Sequence, residues 1–351
     1  MSVQPTLDFL LPGDPLTLTG GYIYDRHILE GLDALGWRTH LDALDASFPF
    51  PTAAALAAAD ATLAGIADGR LVVIDGLALG AMPELVARHA PRLKLVALIH
   101  HPLAGETGLS ERDRASLAES EREALAHVSR VIVTSDWTKR RLLEEGVPAA
   151  RIGVVVPGTE PAPLARGSGG GAVRLLCVAT LTPRKGHAVL FDALARIRNR
   201  PWELDCVGSL ERDTVTAEAL RRQLERLGLS ERVRLLGEVG PDDLEAHYAG
   251  ADLFVVASYL EGYGMAHAEA LARGLPLVTT TAGAIADTVP ADAAVRVPPG
   301  DRGALARALA EVIDDAALRA ALARGARHAR ERLPTWAEAG ARFAAELEPL
   351  A

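Results

Sequence analysis

Lysine is almost missing from this sequence: it occurs only at positions 94, 139 and 185, although lysine and arginine together number 37. Aspartate and glutamate number 46, leaving a formal charge of −9. That balance lacks the basic excess of a nucleic-acid binder and excludes nucleic acid as a partner. Cysteine is reduced to Cys177 and Cys206, each inside an apolar run of strand type. Two buried, reduced thiols are the expectation, in preference to a disulfide or a metal site. Long apolar runs are missing too: the alanine-rich segment 52–66 is broken by Asp60, and no basic stretch followed by an apolar one opens the chain. Neither a signal peptide nor a membrane span is expected, and the protein reads as cytoplasmic. With 351 residues there is enough chain for two domains, each burying its own core.

Apolar runs of strand length at 7–11, 71–74, 95–99 and 131–134 alternate with helix-length segments, which is the pattern of βαβ units on a parallel sheet. After the first run, Gly20 and Gly21 open a segment in which Ile23, His27, Ile28, Leu32 and Leu35 recur at helical spacing up to Gly36. Paired glycines at a helix start suit close backbone approach to a phosphate or a sugar, and suit an ordinary loop equally. The run ending at Ile99 leads into His100-His101-Pro102. A histidine at the carboxyl end of a central strand points toward the usual ligand crevice of such sheets, where it can bond hydroxyls or move a proton. Segment 110–129 carries mixed charge at helical spacing, the mark of a solvated face. Farther on, Asp136 is placed to cap a helix that carries Lys139, Arg140 and Arg141. These three offer charge to an acidic acceptor or to lipid headgroups, or form a plain solvated face.

A stretch of proline and then glycine, 161–171, separates the two halves. Its Gly167-Ser-Gly-Gly-Gly precedes a strand instead of following one, so a dinucleotide fingerprint is excluded by context. The second half opens with an apolar run, 173–179, then Thr180-Leu-Thr-Pro-Arg184-Lys185-Gly186 and a helix from His187. Two cations in a loop entering a helix make a compact site for a diphosphate. The stretch with most chemistry runs from Ser258 to Gly274, S-Y-L-E-G-Y-G-M-A-H-A-E-A-L-A-R-G, directly after the apolar run 253–256. Glu261 falls in the loop beyond that strand and Glu269 inside the following helix. Gly262 and Gly264 let backbone N–H groups near a ligand, while paired acceptor oxygens suit sugar hydroxyls.

E-G-Y-G-M-A-H-A-E-A-L-A-R-G-L-P-L-V resembles the E-x7-E signature of retaining glycosyltransferases of family 4, whose fold is GT-B, two facing Rossmann-like domains with parallel sheets and an interdomain cleft. P-R-K-G is similar to that family's phosphate-gripping loop, and His100, two residues before the proline, matches its N-domain histidine better than His101. The resemblance implies an acceptor-side domain over 1–160, a linker over 161–171, a nucleotide-sugar domain over 172–334, and a final helix, 335–351, crossing back onto the first domain. It also implies roles. Glu261 holds sugar hydroxyls and Glu269 the ribose; Lys185, Arg184 and the helix starting near Gly264 meet the departing diphosphate. Gly262, Met265, Gly20, Gly21 and Gly283 lie along the donor, and Val239 lies beside the nucleobase. Thr180 stands where many members carry an arginine, so one positive charge of the pattern is missing. No D-x-D motif occurs, so a metal bridging the phosphates is not required. The expected partners are a nucleotide-sugar donor and a sugar, lipid or small-molecule acceptor, with weak peripheral contact at the inner face of the membrane; no cofactor is expected. The rivals are a GT-B nucleotide-sugar epimerase and a protein that binds nucleotide sugars without transferring them.

Overall fold

The computed structural model describes residues 4–351. The chain divides into two compact units, Met1–Gly158 with Pro334–Ala351, and Thr159–Leu333. The first unit holds strands β1 (Thr6–Pro12), β2 (Arg38–Leu44), β3 (Leu71–Asp75), β4 (Lys94–Ile99), β5 (Arg130–Val133) and β6 (Ile152–Val154). They form one parallel sheet in the order β2-β1-β3-β4-β5-β6. β3 and β4 are nearly unbroken Leu, Val, Ile and Ala because helices cover both faces of the sheet. Edge strand β2, Arg-Thr-His-Leu-Asp-Ala-Leu, is polar and mostly exposed, and is held by its register on β1 from Thr6↔Arg38 to Pro12↔Leu44. Charge on such an edge discourages pairing with another chain.

The second unit holds β7 (Val173–Val178), β8 (Trp202–Val207), β9 (Val233–Gly237), β10 (Leu253–Val256), β11 (Leu277–Thr280) and β12 (Ala294–Val297), parallel in the order β12-β11-β10-β7-β8-β9. Its core gathers Trp202, Phe191, Phe254 and Tyr248. Helices Arg302–Asp314 and Ala316–Arg330 are half-sunk into it: Leu305, Leu309 and Val312 are fully buried, and a Cβ on Gly325 would lie 2.1 Å from the Asp292 carbonyl. The stretch 161–171 lies on this unit, tied by backbone N–H groups of Ala165 to Arg273 O, Arg166 to Ala249 O and Ser168 to the Asp252 carboxylate.

In each sheet the chain starts at an inner strand, runs to one edge and returns to the other side. The reversal falls between β1 and β3 in the first sheet and between β7 and β10 in the second. Loops leaving the carboxyl ends of such a strand pair diverge, which opens a crevice there.

The segment after Pro334 returns to the first unit as the helix Trp336–Leu347, begun by a reciprocal cap between Thr335 and Glu338. Phe343 and Leu347 are fully buried; Trp336 stacks on His27 at 4.2 Å, and Arg130 Nε donates to Glu346 at 2.8 Å. Gly340 meets Gly31 of the helix Gly20–Ala34 backbone to backbone, a Cβ on either lying 3.1 Å from the other's Cα. At the helix Asp136–Glu144 the cap is Ser135, not Asp136: its hydroxyl accepts from Thr138 N–H at 3.1 Å, because the serine is the residue still extended when the helix starts. Among the described residues no helix is long and apolar enough to cross a membrane.

Phe343→Ala is expected to destabilise the first unit by about 3–5 kcal/mol, the usual cost of emptying a fully buried aromatic site. Calorimetry on the full chain should show an earlier transition for that unit; an unchanged profile would mean that the helix contributes nothing to its core.

Candidate functional site

The reversal between β7 and β10 brings two loops together through glycine. Gly186 takes φ +68°, and a Cβ there would sit 2.0 Å from the Ala257 carbonyl, so only glycine lets the loop after β7 lie against the end of β10. One backbone and one side-chain bond then lock the loops: Tyr259 N–H donates to Arg184 O at 2.8 Å, and Arg184 Nη1 donates to Leu260 O at 3.0 Å. In this frame Lys185 Nζ meets both oxygens of Glu261, at 2.8 and 2.9 Å, with Arg184 Nη1 3.9 Å from Oε2. Ser258 Oγ donates to Glu261 Oε1 at 2.6 Å and is itself positioned by Thr280 Oγ1, which donates to Ser258 O at 2.7 Å. Behind the glutamate, Gly283 at φ +59° makes room for its carbonyl, which accepts from Ala284 N–H at 2.9 Å. Burial pushes the Glu261 carboxyl up, but the Lys185 and Arg184 charges overcome it and hold it at about 2.

The helix Met265–Ala272 begins here at Gly264, whose φ of +95° and contact with Ile285 exclude a side chain. Gly262 and Met265 are half-buried in the same turn. His267, not singled out in the sequence, lies beneath it. Thr279 Oγ1 donates to Val256 O at 3.1 Å and therefore accepts from His267 Nε2 at 2.8 Å, which fixes the tautomer. Burial, against the pull of Glu261, holds that imidazole down to about 4, so it is neutral beside the ion pair. Glu269 lies one turn on: Oε2 accepts from Tyr248 O–H at 2.8 Å, and burial raises its pKa. Arg273 covers the Tyr248 ring at 4.2 Å and donates to Glu269 O, so the carboxylate rests on an aromatic support, separate from the Lys185–Glu261 pair. Thr180 is half-buried just past β7, and Val239 is half-buried after β9 against the unit's core.

In the first unit the reversal between β1 and β3 carries a second cluster. His100, just past β4, places Nε2 3.1 Å from Asp25 and 3.3 Å from Asp75. Gly21 lies against the ring, where a Cβ would be 3.4 Å from Cδ2, and Tyr24 meets it edge-on at 5.3 Å. Gly20, one residue earlier, is exposed at the helix start. His101 is not part of the cluster: its Nε2 lies 3.6 Å from Glu106. Burial pulls the His100 imidazole down, yet Asp25 and Asp75, by charge and hydrogen bond, push it up to about 10. Burial raises Asp25 to about 6 against the opposing pull of His100. Sequence reasoning missed both aspartates. Asp75 was visible as a carboxylate ending an apolar strand, and Asp25 as one set four residues after Gly21 on an otherwise apolar helix face. Among the described residues, two clusters have ligand atoms within 4.8 Å of one another, close enough to hold a metal: Asp25, Asp75 and His100, and Cys177, His187 and Cys206.

Comparison with known proteins accords with this geometry. The family model described as "Glycosyl transferases group 1" matches residues 172–315, and that described as "Glycosyltransferase Family 4" matches residues 71–162. The chain is similar to D-inositol 3-phosphate glycosyltransferase of Kineococcus radiotolerans, with 28% identity over 300 residues, covering 70% of this chain and 68% of that one. Among solved structures it resembles sucrose-phosphate synthase from Thermosynechococcus elongatus, with TM-score 0.81 and 21% identity over 98% of this chain and 99% of that one. It also resembles Anabaena HepE in complex with UDP-glucose, with TM-score 0.76 and 19% identity over 97% and 99% of the two chains. At these identities the structural likeness establishes the fold, which is GT-B.

His100 should stay protonated from neutral pH up to about 10, and Asp25→Asn should lower its midpoint by at least one unit. Because the folded value is raised, the stabilisation is full below the ordinary 6.5 and is lost as pH rises through about 10. Imidazole resonances followed by NMR check this; a midpoint near 6.5 in the wild type would refute the clamp.

Proposed function

We propose, for a chain that belongs to glycosyltransferase family 4 and is a hexosyltransferase, that it moves a hexose from a nucleoside-diphosphate donor to an acceptor with retained anomeric configuration and without a bridging metal ion. The observation that carries this reading is the Lys185–Glu261 pair beside Arg184 at the reversal point of the second sheet. As the glycosidic bond to the donor phosphate breaks, negative charge grows on the departing diphosphate and positive charge on the sugar ring. Lys185 and Arg184 are fixed before the reaction and supply two cations to the leaving group. The helix starting at Met265 adds its N–H groups. Their fixed charge, together with the lack of a D-x-D motif in the sequence, supports the metal-free reading.

Glu261, ionised down to about 2, accepts from the sugar hydroxyls while it holds Lys185 in place. Glu269 accepts from the ribose. HepE was solved with UDP-glucose, and a donor of that class suits this arrangement. His100, kept cationic by two carboxylates, donates hydrogen bonds to a substrate oxygen and is not a general base. The acceptor is a sugar, a lipid or a small molecule.

The test is release of nucleoside diphosphate from a panel of donors, with and without cell extract as the acceptor source, and NMR of the anomeric centre in the product. Acceptor-dependent release with retention is expected. Release without any acceptor would indicate an epimerase, and binding without release a nucleotide-sugar binder. Arg184→Ala should lower turnover about a hundred- to a thousandfold, with Lys185→Ala at least as damaging. Arg184→Lys should restore only part, because the planar fork that grips two phosphate oxygens is lost. Glu261→Gln should act mainly on turnover and Glu269→Gln mainly on nucleotide binding. Free nucleoside diphosphate binding the Glu269 variant as tightly as wild type would contradict its assignment.

A further inference from the structure

Two residues beyond Lys185, the helix His187–Arg196 begins with a buried histidine that faces a pair of cysteines. Cys177 on β7 and Cys206 on β8 are register partners across the parallel ladder, so their side chains project from the same face of the sheet. His187 comes down onto that face from the helix. All three side chains are almost fully enclosed, with relative exposures of 1%, 0% and 2% for Cys177, Cys206 and His187.

His187 Nε2 meets Cys177 Sγ at 3.7 Å, while its Nδ1, like that of His267, is buried without a hydrogen-bond partner. The 3.7 Å separation is what two ligands of one ion subtend. Bonds of about 2.3 Å to sulfur and 2.0–2.1 Å to nitrogen place the two atoms about 3.6 Å apart in tetrahedral geometry and about 3.8 Å apart in trigonal geometry. The Cys206 ligand atom lies within 4.8 Å of both.

We propose that Cys177, Cys206 and His187 form a buried binding site for a soft d10 cation, Zn2+ or Cu+, which fastens the phosphate-side loop of the second unit to its sheet. The charge balance fits the apolar surroundings. Two thiolates and a neutral imidazole around Zn2+ sum to zero, as do one thiolate, one thiol and an imidazole around Cu+, so no net charge is left in the core. Asp205, the carboxylate nearest in sequence, is committed elsewhere: its oxygens accept from Arg234 Nε at 2.6 Å and meet His247 Nδ1 at 3.0 Å. Among the described residues the cluster therefore offers three ligands, to which Zn2+ would add a fourth from outside the protein. Uptake of Zn2+ displaces protons to water from whichever sulfur atoms still carry them and changes no oxidation state. The sequence did not show the site because the ligands come from positions 177, 187 and 206, a spacing unlike a short metal motif.

The test is metal content of the full chain, expressed with zinc in the medium and purified reduced, by mass spectrometry of the elements. About one ion per chain is expected, falling below about a tenth in Cys177→Ala, Cys206→Ala and His187→Ala. Metal-stripped wild type titrated with Co2+ should develop a thiolate-to-cobalt charge-transfer band that saturates at one equivalent. Because core variants can fail to fold, the wild type is also melted with Zn2+ and with chelator: a native-state site raises the midpoint by several degrees with the metal. Wild type that retains no ion and gives neither band nor shift would overturn the proposal. So would a full metal complement in folded Cys177→Ala, or recovery of the two thiols as a disulfide.

Discussion

The second unit is built around one buried ion pair. Lys185 and Glu261 lie at the ends of β7 and β10, strands adjacent in space and separated in sequence by most of a βαβαβ module. Taking two charges out of water is expensive, and such a pair persists only where other hydrogen bonds complete it. Ser258, Thr280 and the Arg184 side chain, bonded to Leu260 O, do so here. The close glycine contacts at Gly186 and Gly283 follow from the same requirement, since a side chain at either would separate the loops that hold the charges. Neutral His267 obeys it too, because a third cation, beneath the turn, would compete for the carboxylate.

The first unit solves a similar problem with the signs exchanged. There two buried carboxylates hold one imidazolium, where in the second unit two cations hold one carboxylate. In both, the cluster occupies the place where the strand order reverses. The topology creates a crevice, and residue chemistry gives one crevice an imidazolium held by two carboxylates and the other a carboxylate held by two cations.

Legibility in the sequence followed burial. Strands covered on both faces, such as Leu71–Asp75 and Leu253–Val256, read directly as apolar runs. Two of the four edge strands did not: Arg38–Leu44 is polar along its length because nothing covers it, and Ala294–Val297 is too short to show a period. In the helices Arg302–Asp314 and Ala316–Arg330, alanine and arginine dominate the composition and mask the stripe on each that is sunk in the core. At the candidate site, Glu261, Lys185 and Arg184 were legible because loop residues after apolar strands have few structural reasons to be charged. Asp25, Asp75 and His267 were not, since their partners are distant in sequence and a single buried polar residue carries no period. The alanine–threonine step at 179–180 was legible as a departure, and the structure leaves the positive charge of that loop to its neighbours Arg184 and Lys185.

The dependence of the site on its ion pair is tested most directly by a double-mutant cycle on unfolding of the second unit, using Lys185→Met, Glu261→Gln and the two together. Each single change strands a charged or polar partner in a buried setting, whereas the double change removes both. The account predicts a double variant more stable than the sum of the singles allows, with a coupling of about 1–3 kcal/mol at neutral pH. The coupling should vanish as pH falls from the ordinary 4.5 of a glutamate through about 2, where Glu261 takes up a proton. Strict additivity at neutral pH would contradict it, because the two loops would then be held by their backbone contacts alone.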